Sequence, residues 1–321
     1  MTTQLIRGLS NLPPDFQGCV ATIGNFDGVH RGHQVLLAEL TAHAKTLELP
    51  SLVITFEPHP AEFFAGSGAA LPRLTRLREK FKALAACDVD KVLVLHFNHK
   101  LASLSAEKFV QDILCANLKV KHLQIGDDFR FGKGREGDYE FLKKSGQQYG
   151  FTVASMPTML IEGERVSSTR TRKALAEGKD ALAAKLLGQT YSIEGRVVQG
   201  DKLGRTLGFP TANINLHRQV TPVAGIYVVR VHGLGIKPLA GVANIGTRPT
   251  VDDSKRNLLE VYLFDFNQDI YGRYIRVEFC KKLRDEIRFD NLELLKQQMI
   301  KDAAEAHDYF VKQGELQSHS S

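Results

Sequence analysis

Cys19-Val20-Ala21-Thr22-Ile23-Gly24-Asn25-Phe26-Asp27-Gly28-Val29-His30-Arg31-Gly32-His33 is the stretch that decides the fold. Its first five residues form a short apolar run, the pattern of a parallel strand buried on both faces. Downstream, Gln34-Val35-Leu36-Leu37-Ala38-Glu39-Leu40 puts Leu36, Leu40 and Leu47, or Leu37, Leu40 and Ala44, on one helical face. The segment therefore reads as strand, glycine-rich loop, helix. In an open α/β sheet that junction lies at the carboxyl edge of the strands, where ligands bind. A helix N-terminus offers free N–H groups and positive dipole density, which favour phosphate. Gly24, Gly28 and Gly32 let the backbone come close to a ligand, and His30 and His33 can both aim donors at phosphate oxygens. A surface loop with incidental imidazoles is the plainer alternative. A zinc site is a third, but no further Cys or His at ligand spacing accompanies the pair.

Outward from this element the pattern repeats. A β-rich run over 52–56 ends at Glu57-Pro58-His59-Pro60, because proline cannot continue a ladder. His59 is there either a plain loop residue or a lining one. A helix is expected over 74–86 with Leu77, Phe81 and Leu84 on one stripe, then a strand over 91–97. A helix over 105–118, a strand over 122–125, a helix over 139–149 and a strand over 151–155 follow. This alternation predicts a doubly wound parallel sheet. The segment from Gly132 to Gly137 spells G-x-G-x-x-G but lies several residues past its strand. We read it as a mobile glycine-rich loop carrying Lys133 and Arg135 near phosphates, not as a dinucleotide fingerprint. In Arg165-Val166-Ser167-Ser168-Thr169-Arg170-Thr171-Arg172 the hydroxyls suit an N-cap, and the arginines equally suit a second phosphate-facing helix N-terminus.

From residue 173 to 187 the chain is alanine-rich and helical, with Gly178 and Gly188 as breaks. Beyond that, β-rich runs over 191–198, 225–232, 240–245, 258–266 and 274–280 follow one another without intervening helices. Five or six such strands predict an antiparallel barrel, closed by a helix over 291–313 that presents Leu292, Leu295 and Met299 to it. The expected fold class is thus α/β plus β, with domains 1–187 and 188–321. Thr211 and Asn213 are hard oxygen ligands on alternate residues, so a strand would point both to one face, as Mg²⁺ binding requires. Glu260, inside an apolar strand, is either a salt-bridged structural carboxylate or one buried for a purpose.

At 321 residues there is material for two cores, and 43% hydrophobic with 24% charged residues is ordinary for a soluble globular chain. The net charge of +6 favours anionic ligands, but Lys and Arg are dispersed among acids, and no nucleic-acid-binding signature occurs. Four cysteines without C-x-x-C pairing read as buried thiols of a reducing cytoplasm. No segment has signal-peptide character or could span a bilayer, so a cytoplasmic location without membrane partners is expected.

The H-x-G-H spacing of His30 and His33 resembles the nucleotidyltransferase signature. With TFEPHP (55–60), GDDFRFGKGREGD (126–138) and VSSTRTR (166–172), the set resembles the FMN adenylyltransferase module of bacterial bifunctional riboflavin kinase/FAD synthetases. Thr171 departs from the family, which usually has an aliphatic residue there. The resemblance implies that His30 and His33 hold the ATP phosphates and serve catalysis. It implies that Gly24, Asn25, Phe26, Asp27, Asp128 and Arg165 line the same site, with Ser168, Thr169 and Arg172 closing on it. The block from Gly200 to Asn213 resembles the riboflavin kinase signature over its whole length, and the segments 241–250 and 259–266 agree. Gly204, Arg205, Gly208, Pro210, Thr211 and Asn213 then fall in the ATP and flavin site, Thr211 and Asn213 as Mg²⁺ ligands. Glu260 matches the base that takes the proton of the riboflavin 5′-hydroxyl, and Arg284, Phe289 and Asp290 lie in the segment used around the flavin. The implied activity is phosphorylation of riboflavin to FMN, then adenylylation of FMN to FAD. ATP is co-substrate, Mg²⁺ is required, and the enzyme is a monomer or weak oligomer.

Overall fold

In the first strand every residue from Cys19 to Ile23 is buried. Successive side chains leave a strand on opposite faces, so both faces need cover. Cys19, Ala21 and Ile23 join one apolar cluster and Val20 joins another. The computed structural model describes residues 2–66, 70–200, 203–216, 218, 220–248 and 256–317. It divides into two compact units, Met1–Leu71 with Thr75–Ser168, and Pro72–Leu74 with Thr169–Ser321.

The first unit runs β1 (Gln4–Arg7), β2 (Cys19–Ile23), α1 (Arg31–Thr46), β3 (Ser51–Glu57), α2 (Pro60–Ala65), α3 (Leu77–Ala85) and β4 (Lys91–His96). Then come α4 (His99–Ala102), α5 (Ala106–Lys108) with π-helical turns over Phe109–Asn117, β5 (Val120–Gly126), α6 (Tyr139–Tyr149) and β6 (Thr152–Met156). A short hairpin of β7 (Leu160–Ile161) and β8 (Glu164–Arg165) follows. The sheet order is β1-β4-β3-β2-β5-β6 and every pairing is parallel. Leu36, Leu37, Leu40 and Ala44 of α1 cover one face, while Phe109, Val110, Ile113 and Leu114 cover the other. The doubly wound sheet is as expected, with β1 added at the edge. Chain order reverses about β2, which places the N-terminus of α1 at the switch point.

The second unit starts within α7 (Ser168–Ala176), followed by α8 (Asp180–Leu187), with Gly178 at φ +67° between them. Then come β9 (Ser192–Val198), α9 (Leu203–Thr206), β10 (Thr211–Asn215), β11 (Gly225–His232), β12 (Leu239–Arg248), β13 (Arg256–Leu263), β14 (Tyr274–Arg284) and α10 (Leu292–Lys312). The six strands close into an antiparallel barrel in the order β10-β13-β12-β11-β14-β9. Its interior takes one parity of each strand, among them Ile214, Tyr227, Val229, Ala243, Ile245, Leu259 and Val261, all fully buried. The other parity of β11 and β12 meets the closing helix, where Val228 packs with Ala306 and Phe310. Only Leu292 departs from the expected helix face: Leu295 and Met299 line the space between α10 and the barrel, on the same stripe as the buried residues. Leu292 is 56% exposed, and the buried side of α10 is Asp302, Ala306 and Phe310. Of the cysteines, only Cys19 is buried; Cys87, Cys115 and Cys280 are partly so, and all are free thiols.

Candidate active sites

The first site is built where the chain leaves β2. The turn passes through two non-glycine residues with left-handed backbone, Phe26 (φ 47°) and Val29 (φ 41°). Such conformations cost about 1–3 kcal/mol each and persist only where surrounding structure holds them. Here both side chains are buried in the core under α1. Asp27, also buried, accepts from Thr75 N at 2.9 Å and from Thr75 Oγ1 at 3.1 Å, and Gly28 N donates back to Thr75 Oγ1 at 3.0 Å. Ser168 Oγ donates to the Asp27 carbonyl at 2.7 Å. The loop is clasped at both of its polar ends.

His30 caps α1: its Nδ1 accepts the His33 N–H at 3.4 Å. That bond fixes the ring, and the His33 ring stacks on it with centroids 3.7 Å apart at 15°. Phe26 packs on His33 at 4.9 Å. Gly32 leaves room for the stack, since a Cβ there would meet His30 Nδ1 at 3.3 Å. Burial holds the His33 imidazole well below its ordinary pKa, and the neighbouring His30 and Lys80 lower it further. At neutral pH His33 is therefore an uncharged ring with one N–H to donate. Lys80 itself is 2% exposed. Its Nζ lies 3.4 Å from Thr55 Oγ1, which reaches the Asn25 carbonyl at 3.3 Å. Neither Thr75 nor Lys80 was expected from the sequence. The available signal was a lysine on the apolar stripe of α3, between Leu77 and Leu84.

Asp128 and Arg165 are brought together as an ion pair at 2.7 Å, with Asp127 at 3.3 Å from the same guanidinium nitrogen. Thr169 and Arg172 continue α7 in the second unit. His59 is buried and caps α2, its Nδ1 accepting from Ala61 N at 3.1 Å, which is a structural use. The glycine-rich loop is tethered, correcting the expectation of a mobile one. Lys133 N donates to Leu104 O at 2.7 Å, Glu136 Oε1 accepts from Ala106 N at 2.8 Å, and Phe131 pairs with Gly137. Beside the carboxyl edge, Phe63, Phe64 and Phe97 form an aromatic group whose centroids lie 5.3–5.7 Å apart, with Phe64 71% exposed.

The second site lies on the outside of the barrel. In register, Asn213 of β10 faces Glu260 of β13, and Glu260 faces Asn244 of β12. Two residues along, Thr211, Tyr262 and Val242 form the next row on the same face. The N-terminal half of α10 closes over these rows and leaves a cavity of about 250 Å³. Gly204, Phe209, Thr211, Glu260, Arg284, Phe289, Leu295 and Met299 are among its walls. Glu260 is partly exposed here, not sealed in a core as its apolar strand suggested. Asn213 is 5% exposed and its Oδ1 has no hydrogen-bond partner among the described residues. Gly200 permits this placement, because a Cβ there would overlap the Asn213 amide.

Arg284 makes a two-pronged ion pair with Asp302 of α10, Nε to Oδ1 at 2.9 Å and Nη2 to Oδ2 at 2.6 Å. Its guanidinium also lies 5.9 Å from the centre of the Phe289 ring. It thus fastens the closing helix as well as lining the cavity. Gly208 and Pro210 shape the turn into β10, and Asp290 is exposed; none of the three lines the cavity. The Arg205 side chain and residues 201–202 lie outside the described residues, as do 249–255.

Comparison with known proteins gives the two sites a family. The family model for FAD synthetase matches residues 12–170, and the model for riboflavin kinase matches 187–310. A bifunctional riboflavin kinase/FMN adenylyltransferase of Escherichia coli K12 is 54% identical over 308 residues, spanning 96% of this chain and 98% of its own. The protein of the same name from Haemophilus influenzae is 48% identical over 307 residues, 96% of this chain and 99% of its own. A crystallised protein of Streptococcus pneumoniae, named a macrolide-efflux protein, superposes with a TM-score of 0.78 at 30% identity, covering 94% of this chain and 97% of its own. No helix among the described residues is long and apolar enough to cross a membrane. With a family model on each catalytic half and relatives matching end to end, the chain belongs to the bifunctional riboflavin kinase/FMN adenylyltransferases: its C-terminal part makes FMN from riboflavin and its N-terminal part makes FAD from FMN.

Proposed function

We propose that riboflavin is phosphorylated in the cavity between the barrel's outer face and α10, and that FMN is adenylylated at the N-terminus of α1. The observation that carries the reading is the cross-strand row Asn213–Glu260–Asn244, of which Glu260 and Asn244 line the cavity beside apolar side chains. Glu260 takes the proton of the riboflavin 5′-hydroxyl. That oxygen bonds to the γ-phosphorus of ATP while the bond to ADP breaks, its electron pair leaving with ADP. The residues present suit Mg²⁺: the buried, unpartnered Oδ1 of Asn213 and the hydroxyl of Thr211 are hard oxygen donors sharing one face. When bound, the ion neutralises charge on the phosphates. Phe209, Phe289, Leu295 and Met299 offer the flavin ring an apolar bed.

In the second step the FMN phosphate oxygen is already an anion and bonds to the α-phosphorus of ATP as pyrophosphate leaves. Positioning and charge stabilisation suffice. His30, His33 and the free N–H groups of α1 donate to the phosphate oxygens. Gly24, Asn25, Phe26, Asp27, Asp128, Arg165 and Ser168 line the nucleotide side, with Thr169 and Arg172 closing on it. Phe63, Phe64 and Phe97 present a stacking surface for the flavin ring. Catalytic modules over 1–187 and 188–321, a cytoplasmic location and a monomer or weak oligomer complete the reading.

The experiment is Glu260→Gln, which keeps size and hydrogen bonding but cannot accept the proton. Riboflavin phosphorylation should fall by about 10²–10⁴, while added FMN is still converted to FAD at the wild-type rate. Undiminished kinase turnover would sink the assignment of the cavity.

A further inference from the structure

We propose that Asn244 is a substrate-binding residue that holds the ribityl chain of riboflavin and delivers its terminal hydroxyl to Glu260, a role that rests on placing riboflavin in the barrel cavity. Asn244 sits on β12 directly opposite Glu260. Side chains in such a pair leave the same face from Cα atoms about 4.5–5.5 Å apart. Both residues line the cavity, and Asn244 is the one side-chain amide among its described lining residues.

The Asn244 Oδ1 atom is buried and has no hydrogen-bond partner among the described residues. A structural amide at this depth would be paired with the protein, because an unsatisfied buried acceptor costs about 1–3 kcal/mol. An unpaired one beside a catalytic carboxylate, opening on a cavity, is a group waiting for a ligand. Its chemistry selects the part of the substrate it would meet. The flavin ring is bedded by apolar side chains, whereas the ribityl chain carries a line of hydroxyls, each both donor and acceptor. An amide matches that pairing in either orientation, since one end accepts and the other donates. The chemistry also needs the 5′-hydroxyl within hydrogen-bond reach of Glu260. A polyol is flexible, and an anchor on the adjacent strand fixes its last carbons before the proton moves.

The test pairs riboflavin with lumiflavin, which has the same ring but a methyl group in place of the ribityl chain. In Asn244→Ala, kcat/KM for riboflavin should fall about 3- to 10-fold, the loss of one or two neutral hydrogen bonds. The inhibition constant of lumiflavin against the kinase and the KM for ATP should not change. Asn244→Ser, which keeps a hydroxyl able to donate and accept, should recover part of the loss. The lumiflavin constant and the KM for ATP report that the barrel is intact, and FAD formation from added FMN reports the same of the N-terminal unit. Unchanged kcat/KM for riboflavin, or a parallel weakening of lumiflavin, would overturn the proposal. Glu260→Gln run alongside separates the two ideas. If it loses turnover while Asn244→Ala does not, only the role of Asn244 falls; if it keeps turnover, the cavity assignment falls and this role with it.

Discussion

Replacing His33 by alanine should stop FAD formation while leaving FMN formation intact. The perturbation is confined by the geometry. The N–H that His30 Nδ1 accepts belongs to the backbone, so the cap at 3.4 Å survives, and alanine is the better helix former. What disappears is the imidazole stacked at 3.7 Å on His30 and packed on Phe26. One positioned donor to developing phosphate charge contributes about 2.7–4 kcal/mol, or 10²–10³ in rate. Loss of the stack also removes one of the contacts that hold the His30 ring, so the upper part of that range is expected. His33→Gln, which retains an N–H donor, should recover part of it. The assay is chromatographic separation of FMN and FAD after supplying FMN and ATP, with riboflavin phosphorylation measured in the same preparation. Because burial lowers the His33 pKa well below its ordinary value, the ring is neutral across pH 6.5–8.5, a span about the usual histidine pKa and above. Wild-type adenylylation should therefore show no titration of His33 in that span. FAD formation by His33→Ala at the wild-type rate would refute the placement. A wild-type rate that falls as a histidine loses its proton near pH 7, and does not do so in the variant, would refute the neutral donor.

Two further outcomes follow from side chains outside the reacting groups. Arg284→Ala leaves the 8%-exposed Asp302 side chain with Gln298 as a remaining donor at 2.8 Å. It should destabilise the barrel unit by about 3–5 kcal/mol in denaturant unfolding, with the Arg284→Ala/Asp302→Ala double variant less destabilised than the single. A double variant as unstable as the sum of the two singles would contradict this. His122 is buried, stacks on His43 at 3.9 Å and hydrogen-bonds Thr152 Oγ1 at 2.7 Å. Burial lowers its pKa, with His43 adding to the effect, against an opposing hydrogen bond from its Nε2–H to Gln124 Oε1. The unfolded chain then binds the proton first, so this contribution is complete above the ordinary histidine pKa and is lost as pH falls below it, by at most about 1.4 kcal/mol per pH unit. His122→Gln should remove that slope between pH 6.5 and 5, about the range where the unfolded histidine takes up its proton. An unchanged slope would contradict the reading.

Much of this was legible in the chain because it is local. The strand, glycines and helix of residues 19–40 are contiguous, and period-two runs announce most barrel strands. What stayed hidden depended on partners distant in sequence. Thr75 clasps Asp27 across 48 positions, and the buried Lys80 on an apolar stripe finds its partner, Thr55, on β3. The strand β10 reads Thr-Ala-Asn-Ile-Asn, whose polar parity lies on the outer face of the barrel with Thr211 at the cavity, so it lacks the composition of an ordinary strand. Edge strand β1 is only four residues long, with Ile6 alone fully buried. The barrel-facing stripe of the closing helix was legible through Leu295 and Met299, but its continuation at Asp302 was not, because the counter-charge comes from Arg284 of β14.

If one chain carries two separable sites, a variant disabled in one should be rescued by a variant disabled in the other. His33→Ala and Glu260→Gln are each incubated with riboflavin, ATP and Mg²⁺, alone and mixed, and the flavins are followed over time. Alone, the first should accumulate FMN and the second should leave riboflavin unchanged. Mixed, they should form FAD after a lag in which free FMN builds up. A mixture that accumulates FMN but never makes FAD would contradict the claim.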